Sequence, residues 1–116
     1  MTPATSLAAF LGTAGALHLV VPAPFDTAVP PELPGSARTW TLASGVVEMA
    51  CAALVAAPQT RRAGGLACAA LFVGVFPGNV HHARRARTPA MKALCYARLP
   101  LQVPLVLWAL RVRREA

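Results

Sequence analysis

One carboxylate stands alone in a long apolar stretch of this chain, and it is the first sign of chemistry. Glu48 lies near the middle of the segment from Thr39 to Pro58, TWTLASGVVEMACAALVAAP, which carries no other charge. About 20 such residues have the length that an α-helix needs to cross the hydrocarbon core of a bilayer. An ionisable group at that depth costs at least ~2.5 kcal/mol, so it usually faces the protein interior and has a partner. The sequence therefore predicts that another part of the chain supplies a partner for Glu48.

Four other polar side chains in the apolar runs are candidate partners: His18, Asn79, Arg98 and Gln102. If four helices alternate in direction, at about 1.5 Å per residue, these four groups and Glu48 fall in the same half of the membrane. Gln102 lies level with Glu48, and Arg98 lies about one turn nearer the surface. We therefore expect Glu48 to be within hydrogen-bond or one-water reach of Arg98 or Gln102, inside a closed polar pocket. His18 is expected to pair with Asn79 or with either charge.

Three functions are compatible with such a pocket. In the first, it binds a quinone-like or other lipophilic molecule without catalysis; the expected ligand-binding residues are Arg98, Gln102, Asn79, Trp40, Ser44 and Tyr96, with Trp40 and Tyr96 flanking a ring. In the second, Glu48 is the general acid or base and His18 its partner, in an isomerisation, hydration or cyclisation of a lipophilic substrate. In the third, the polar groups only hold the helices in register, although such hydrogen bonds average about 0.6 kcal/mol. The sequence alone does not decide whether the protein is an enzyme.

The composition predicts which elements position these residues. Hydrophobic residues make up 56% of the 116 residues and charged residues 13%, whereas a soluble domain carries about 25% charged residues. The charges are clustered and leave four apolar runs of roughly spanning length. We therefore predict an all-α, four-helix transmembrane bundle with up-down-up-down topology. One domain covers residues 1–116, and its helices lie near 7–21, 39–57, 64–80 and 93–110.

Two connections in this bundle carry further predictions. The long segment from Pro22 to Arg38 contains five prolines together with Phe25, Val29 and Leu33. Its apolar residues favour an ordered cap that packs Phe25 or Leu33 against the bundle; the alternative is an ordinary proline-stiffened surface loop. The segment from His81 to Lys92, HHARRARTPAMK, is predicted to be a basic loop at the membrane surface. Its adjacent histidines point about 100° apart on a helix, so no metal site is expected.

Charge and cysteine usage exclude several other functions. The net charge of +7 comes from short basic clusters at the ends of apolar runs, which is typical of loops beside anionic lipid and not of nucleic-acid binding. The expected partners are membrane lipid and a lipophilic small molecule. Three cysteines, Cys51, Cys68 and Cys95, have no CxxC spacing and are predicted to be buried free thiols. No nucleotide, haem or iron–sulfur motif is present, so no cofactor is built in. A quinone remains one candidate among the lipophilic molecules of the first function.

The order of five short motifs resembles the small DoxX-like membrane proteins. These motifs are GALHLVVPAPFD, VPPELPG, RTWTLASGVVE, FPGNV and RLPLQVPLVLWAL, and together they extend from Gly15 to Leu110. The recurring polar positions of that family are matched by His18, Glu48, Asn79, Arg98 and Gln102. The resemblance implies a component of a membrane redox system, since family members are associated with thiosulfate-to-quinone oxidation and with complexes that contain a sulfurtransferase and superoxide dismutase. A membrane or soluble redox partner protein is thus an expected partner. The chain is not expected to carry out sulfur chemistry directly, because it lacks a cysteine pair that would support it.

The same resemblance supplies the orientation. It implies a bacterial cytoplasmic membrane protein with both termini in the cytoplasm, which places the polar pocket in the non-cytoplasmic half. Charge gives no independent support, because five basic residues fall on each side of the predicted bundle.

Overall fold

Helices account for nearly the whole chain. The computed structural model describes residues 1–116 and contains no strand. Its helices are α1 (Pro3–Val20), α2 (Ala23–Asp26), α3 (Ala37–Ala56), α4 (Arg61–Gly74), α5 (Phe76–Arg85), α6 (Pro89–Arg98) and α7 (Gln102–Glu115), and a 3₁₀ turn, Leu99–Leu101, joins the last two. The predicted all-α fold is confirmed.

Four segments are long and apolar enough to cross a membrane. They are α1, α3, the combined segment Arg61–Arg85 and the combined segment Pro89–Glu115, called here spans 1 to 4. Much of their apolar surface faces outward: Val46, Val73, Leu94, Val103 and Leu107 are each more than half exposed. Side chains of this kind on four long helices need an apolar solvent. The chain is therefore an integral membrane protein with four spans.

The spans form a closed ring. Span 1 packs on span 2, span 2 on span 3, span 3 on span 4, and span 4 returns to span 1. Near one end, the indole Nε1 of Trp108 donates a hydrogen bond to the carbonyl of Pro3 at 3.0 Å, so both termini lie at that end. We call it the terminal end, and we call the opposite end, where residues 21–36 connect spans 1 and 2, the cap end. The buried apolar core includes Leu7, Leu11 and Val55.

Span 3 contacts span 4 almost backbone to backbone at Gly65. A Cβ atom built on Gly65 would lie 2.8 Å from the backbone nitrogen of Arg113 and 2.9 Å from the carbonyl oxygen of Ala109. Small residues allow this approach between membrane helices, where close packing replaces the hydrophobic effect as the source of stability.

Two helices begin earlier than the apolar runs predicted. The side-chain oxygen of Thr2 accepts a hydrogen bond from the Thr5 amide, and that of Thr88 accepts one from the Met91 amide, each at 3.1 Å. A threonine cap followed by a proline in the first turn is a strong start signal, and both helices have it. The predicted starts at residues 7 and 93 were therefore late, because hydropathy measures the apolar stretch and not the capped helix.

The predicted basic loop from His81 to Lys92 was wrong. Helix α5 continues through Arg85, and only residues 86–88 separate it from α6. The predicted helix 64–80 is accordingly too short at both ends, because its first and last turns are polar. It is also interrupted at Val75, just before Pro77, since a proline removes one hydrogen bond of the helical ladder.

Residues 21–36 form an ordered cap, as predicted. The ring of Phe25 stacks on the imidazole of His18 with a centroid separation of 3.9 Å. The indole of Trp40 donates to the carbonyl of Pro34 at 2.7 Å, and Arg38 Nε lies 3.0 Å from Asp26 Oδ2. These contacts tie the segment, called here the cap loop, to both spans that it joins. Leu33, the alternative anchor, remains 39% exposed.

The contact between Asp26 and span 2 makes the cap loop sensitive to acid. The neighbouring Thr41 hydroxyl and the Arg38 guanidinium lower the pKa of the Asp26 carboxyl below its ordinary value of 3.8. A lowered pKa in the folded state means that the ionised carboxylate adds stability above the ordinary pKa, and that this contribution is lost as the pH falls through the folded-state pKa. Wild-type protein is thus expected to be more stable than Asp26→Asn above pH ~4–5, and the difference should vanish in stronger acid.

Unfolding in detergent, followed for both proteins over a series of acidic pH values, measures this difference. Because the other carboxyl groups are common to both proteins, their titration cancels. A difference that stays constant down to the lowest pH would show that Asp26 does not hold the cap loop as a carboxylate.

Candidate functional site

Two glycines bring His18 and Glu48 together. A Cβ atom on Gly15 would lie 2.9 Å from the carbonyl oxygen of Gly45, and one on Gly45 would lie 2.9 Å from the Cβ of His18. His18 follows Gly15 by three residues in α1, and Glu48 follows Gly45 by three residues in α3. Residues three apart share a helix face, so the close crossing directs both polar side chains into the same space.

The His18 imidazole contacts two acceptors through one nitrogen. Its Nδ1 lies 2.7 Å from the carbonyl oxygen of Ala14 and 3.1 Å from Glu48 Oε2. A carbonyl oxygen only accepts, so Nδ1 carries a hydrogen. That hydrogen is directed to Ala14, which leaves Glu48 Oε2 buried without a hydrogen-bond partner of good geometry. Phe25 covers the other side of the imidazole. This arrangement is a close, enclosed contact of an acid with a base.

The predicted pair of Glu48 with Arg98 was wrong. The Nη2 of Arg98 donates to Asn79 Oδ1 at 3.2 Å and to His82 Nδ1 at 3.1 Å. Depth along the membrane was the basis of the prediction, but position around the ring decides which groups meet. Helix α3 packs chiefly on α1 and α4, whereas α6 packs chiefly on α5. Glu48 therefore finds its partner on span 1, and Arg98 finds its partners on span 3.

A series of polar contacts connects Arg98 to the cap loop through His82. Arginine only donates, so His82 Nδ1 is an acceptor and the ring hydrogen of the neutral imidazole is on Nε2. His82 Nε2 lies 3.4 Å from the hydroxyl oxygen of Thr27, and that hydroxyl donates to the carbonyl of Pro24 at 2.7 Å. The sequence analysis missed both His82 and Thr27. The available signal was the three-residue spacing of His82 from Asn79, which matters only once the segment is known to be helical.

Both broken spans are interrupted at the same level. Above the interruptions, towards the cap end, Arg98 contacts Asn79; below them, the Gln102 amide donates to the carbonyl of Phe72. The break at Val75 and the 3₁₀ turn at Leu99–Leu101 lie between these two contacts. Gln102 thus satisfies a carbonyl beside the break and does not reach Glu48. Irregular backbone at membrane depth is tolerated where protein covers it or where it lines a cavity.

A groove in two sections follows span 3: its apolar section lies between spans 3 and 4, and its polar section lies between span 3 and the cap loop. The apolar section has a volume of about 300 Å³ and is lined by Val73, Phe76, Gln102, Val103, Val106 and Leu107. The polar section has a volume of about 450 Å³ and is lined by Pro30, Glu32, Phe76, Pro77, Val80, His81 and Arg84.

Phe76 belongs to both sections of the groove. Along span 3, the lining residues Val73, Phe76, Val80 and Arg84 recur every three or four positions, which places them on one face. The two sections therefore succeed one another from the middle of the span to the cap end.

The remaining predicted site residues lie elsewhere. Ser44 is half-buried one turn before Glu48, while Trp40 and Tyr96 are 40% and 51% exposed and line neither section of the groove. The structure also brings two cysteines together that are 17 residues apart: Cys51 and Cys68 are buried neighbours on α3 and α4, and both thiols are free. Sequence spacing gave no signal for this contact.

The fold and its four spans define the class of this protein. It is a four-helix integral membrane protein with two groups of polar side chains between the middle of the bundle and the cap end. A family model described as "Domain of unknown function (DUF8561)" matches residues 7–113, so the chain belongs to this family. No curated protein and no solved structure matches the chain. The likeness to DoxX-like proteins stays a prediction.

Proposed function

We propose that this protein binds a lipophilic small molecule in the groove along spans 3 and 4. The observation that carries the proposal is the groove's change of character at Phe76, from an apolar section in the span to a polar section at the cap end. An amphiphile presents the same sequence of surfaces to the protein.

The breaks in spans 3 and 4 support the same location. Each span has a proline at this level, Pro77 in span 3 and Pro100 in span 4, and each proline removes one hydrogen bond of the helical ladder while the backbone stays helical. Here the breaks place Gln102 in the wall of the apolar section and Arg98 one helical turn nearer the cap end.

The resemblance of the sequence motifs to DoxX-like proteins supports a quinone-like molecule as the ligand and a membrane redox system as the setting in which the protein acts. The ring carbonyls of a quinone are acceptors for the basic side chains of the polar section, and its isoprenoid tail matches the apolar section. The proposal includes a redox partner protein, a bacterial cytoplasmic membrane and both termini in the cytoplasm. The even number of spans agrees with termini on one side.

A bulky residue in the apolar section should block binding. The protein is reconstituted in nanodiscs, and its affinity for a short-tailed ubiquinone is measured by quenching of tryptophan fluorescence. Val103→Phe fills the groove from an exposed position on its wall, and is expected to weaken binding about tenfold or more through loss of apolar contact area. Val46→Phe, on the lipid-facing side of α3 and equally exposed, is the matched control.

Equal affinity of the two variants would place the quinone outside the groove. Retention of endogenous lipophiles, read by mass spectrometry of the purified wild-type protein and of both variants, gives a second test that needs no choice of ligand.

One observation favours a second candidate, acid–base catalysis. Glu48 Oε2 is buried, has no hydrogen-bond partner of good geometry and lies 3.1 Å from a histidine nitrogen. A carboxyl group in this position can act as a general acid or base. Glu48 lines neither section of the groove, so this candidate function is independent of the groove. Incubation of the protein with membrane lipids in D2O tests this directly: deuterium incorporated by wild type and not by Glu48→Gln supports catalysis, and none in either excludes proton exchange by Glu48.

A further inference from the structure

We infer that Cys51 and Cys68 are a redox site, at which a peroxide converts the two buried thiols into a disulfide that joins spans 2 and 3. The inference is independent of the groove and of the ligand proposed for it. The sequence motifs predict no direct sulfur chemistry, because they contain no cysteine pair. The fold assembles a pair from two different spans, and both of its thiols are free.

A glycine sets the distance between these two spans. A Cβ atom built on Gly64 would lie 2.8 Å from the backbone carbonyl carbon of Leu54 and 2.8 Å from the backbone nitrogen of Val55, so the two backbones are nearly in contact. Cys68 follows Gly64 by four residues, and Cys51 precedes Val55 by four residues. Residues four apart share a helix face, and the two spans are antiparallel. The two cysteines therefore face each other one turn from the close approach.

The two thiols meet inside the bundle. Cys51 is 4% exposed and Cys68 is fully buried, and the two side chains are in hydrogen-bond contact with each other. A disulfide needs Cβ atoms about 3.5–4.5 Å apart and Cα atoms about 4.4–6.8 Å apart, a spacing that requires closely packed helices. Because the backbones are nearly in contact one turn away, the bond can form with little movement of either span.

Oxidation by a peroxide, ROOH, proceeds in two balanced steps. The Cys51 thiol, which is the more exposed, attacks one peroxide oxygen; the O–O bond breaks, a sulfenic acid forms, and the thiol proton leaves with the other oxygen as ROH. The Cys68 thiol then attacks the sulfenic sulfur; the S–S bond forms, and the hydroxyl leaves with the second thiol proton as water. The protein loses two hydrogen atoms, and the peroxide is reduced by two electrons.

The surroundings of the thiols determine which oxidant acts and how far oxidation goes. Burial excludes large reagents, so the site admits only a small oxidant such as hydrogen peroxide. Since the second thiol is held in contact with the first, the second step is intramolecular and needs no further reagent. Oxidation is therefore expected to end at the disulfide and not at a sulfinic acid.

Tryptic mapping detects the bond, because Arg61 and Arg62 lie between the two cysteines. Reduced protein in nanodiscs is treated with hydrogen peroxide, alkylated with N-ethylmaleimide in denaturant, digested and analysed by mass spectrometry. We expect the peptides that contain Cys51 and Cys68 to be joined, at the sum of their masses less two hydrogen atoms, and to separate after reduction. Cys95 should remain alkylated.

Three variants locate the bond. Cys51→Ser and Cys68→Ser should give no joined peptides, because each lacks one of the two sulfur atoms. Cys95→Ser is the matched control: it removes the third buried thiol, which lies on α6, and should give the same joined peptides as wild-type protein.

Stability gives a second readout of the same bond. A disulfide between Cys51 and Cys68 closes the turn between spans 2 and 3 and restricts the unfolded chain. Peroxide-treated wild-type protein should therefore unfold at a higher concentration of sodium dodecyl sulfate than reduced wild-type protein. The same treatment should not raise the midpoint of Cys68→Ser.

Three alkylated thiols in wild-type protein after peroxide treatment overturn the inference. Oxygen added to one cysteine without a joined peptide contradicts it equally, as does a disulfide that includes Cys95 or links two protein molecules. Each of these results is obtained with wild-type protein, so none depends on the folding of a variant.

Discussion

Gly65→Ala is expected to lower the free energy of unfolding by about 1–3 kcal/mol relative to Gly74→Ala. A methyl group on Gly65 would meet the α7 backbone at 2.8 and 2.9 Å, distances that Cβ atoms do not adopt. Backbone atoms cannot move aside as the end of a side chain can, so α4 and α7 would have to separate. Separation would also loosen the contacts of neighbouring core residues, which interdigitate at the terminal end of the bundle.

Gly74→Ala is the matched control, because it is the same substitution in the same helix and its new methyl group has no neighbour within 4 Å. The general gain in helix propensity from glycine to alanine, about 1 kcal/mol in a helix interior, applies in the same direction to both variants. Unfolding of each protein by sodium dodecyl sulfate in mixed micelles gives the two free energies. Equal stabilities would show that spans 3 and 4 do not touch at Gly65.

Much of the fold could be predicted because the membrane limits the choices. Runs of apolar residues determine the number of spans. Because each connection joins the end of one span to the start of the next, successive spans must run in opposite directions. Helix ends were predicted less well, since they depend on caps such as Thr2 and Thr88 that lie outside the apolar runs. The basic composition of the stretch containing His81 predicts a loop, although nothing between His81 and Arg85 prevents a helix from continuing into the aqueous layer.

The depths of the polar residues were predicted better than their pairing, since the structure divides them between two groups and not one closed pocket. Sequence offsets gave the depth of each group, which is why the five residues could be assigned to one half of the bundle. Offsets contain no information about the angle around the bundle axis, and that angle separates Glu48 on span 2 from Arg98 on span 4. The close crossing of Gly15 with Gly45, which sets the partner of Glu48, depends on which two helices touch.

The contact between His18 and Glu48 should appear as a coupling energy. His18→Ala removes the one basic group beside a buried carboxyl in a membrane span, together with its stacking on Phe25, and is expected to cost about 1–3 kcal/mol of stability. Glu48→Ala should cost less, because His18 keeps its hydrogen bond to Ala14 and its stacking on Phe25. The double variant should then be more stable than the sum of the single changes predicts, by roughly 0.5–3 kcal/mol, as for residues in contact.

A second double-mutant cycle, between Glu48 and Arg98, provides the comparison. These residues share no partner in the structure, so their coupling is expected to stay within about 0.5 kcal/mol of zero. Both cycles can be measured by the same denaturation in mixed micelles, and Glu48→Gln serves as a variant of nearly unchanged shape. A large coupling to Arg98 with none to His18 would mean that spans 2 and 4 exchange their polar contacts in the membrane. Coupling to His18 alone would establish that the two polar groups are separate, and that Glu48 and Arg98 can be assigned separate roles.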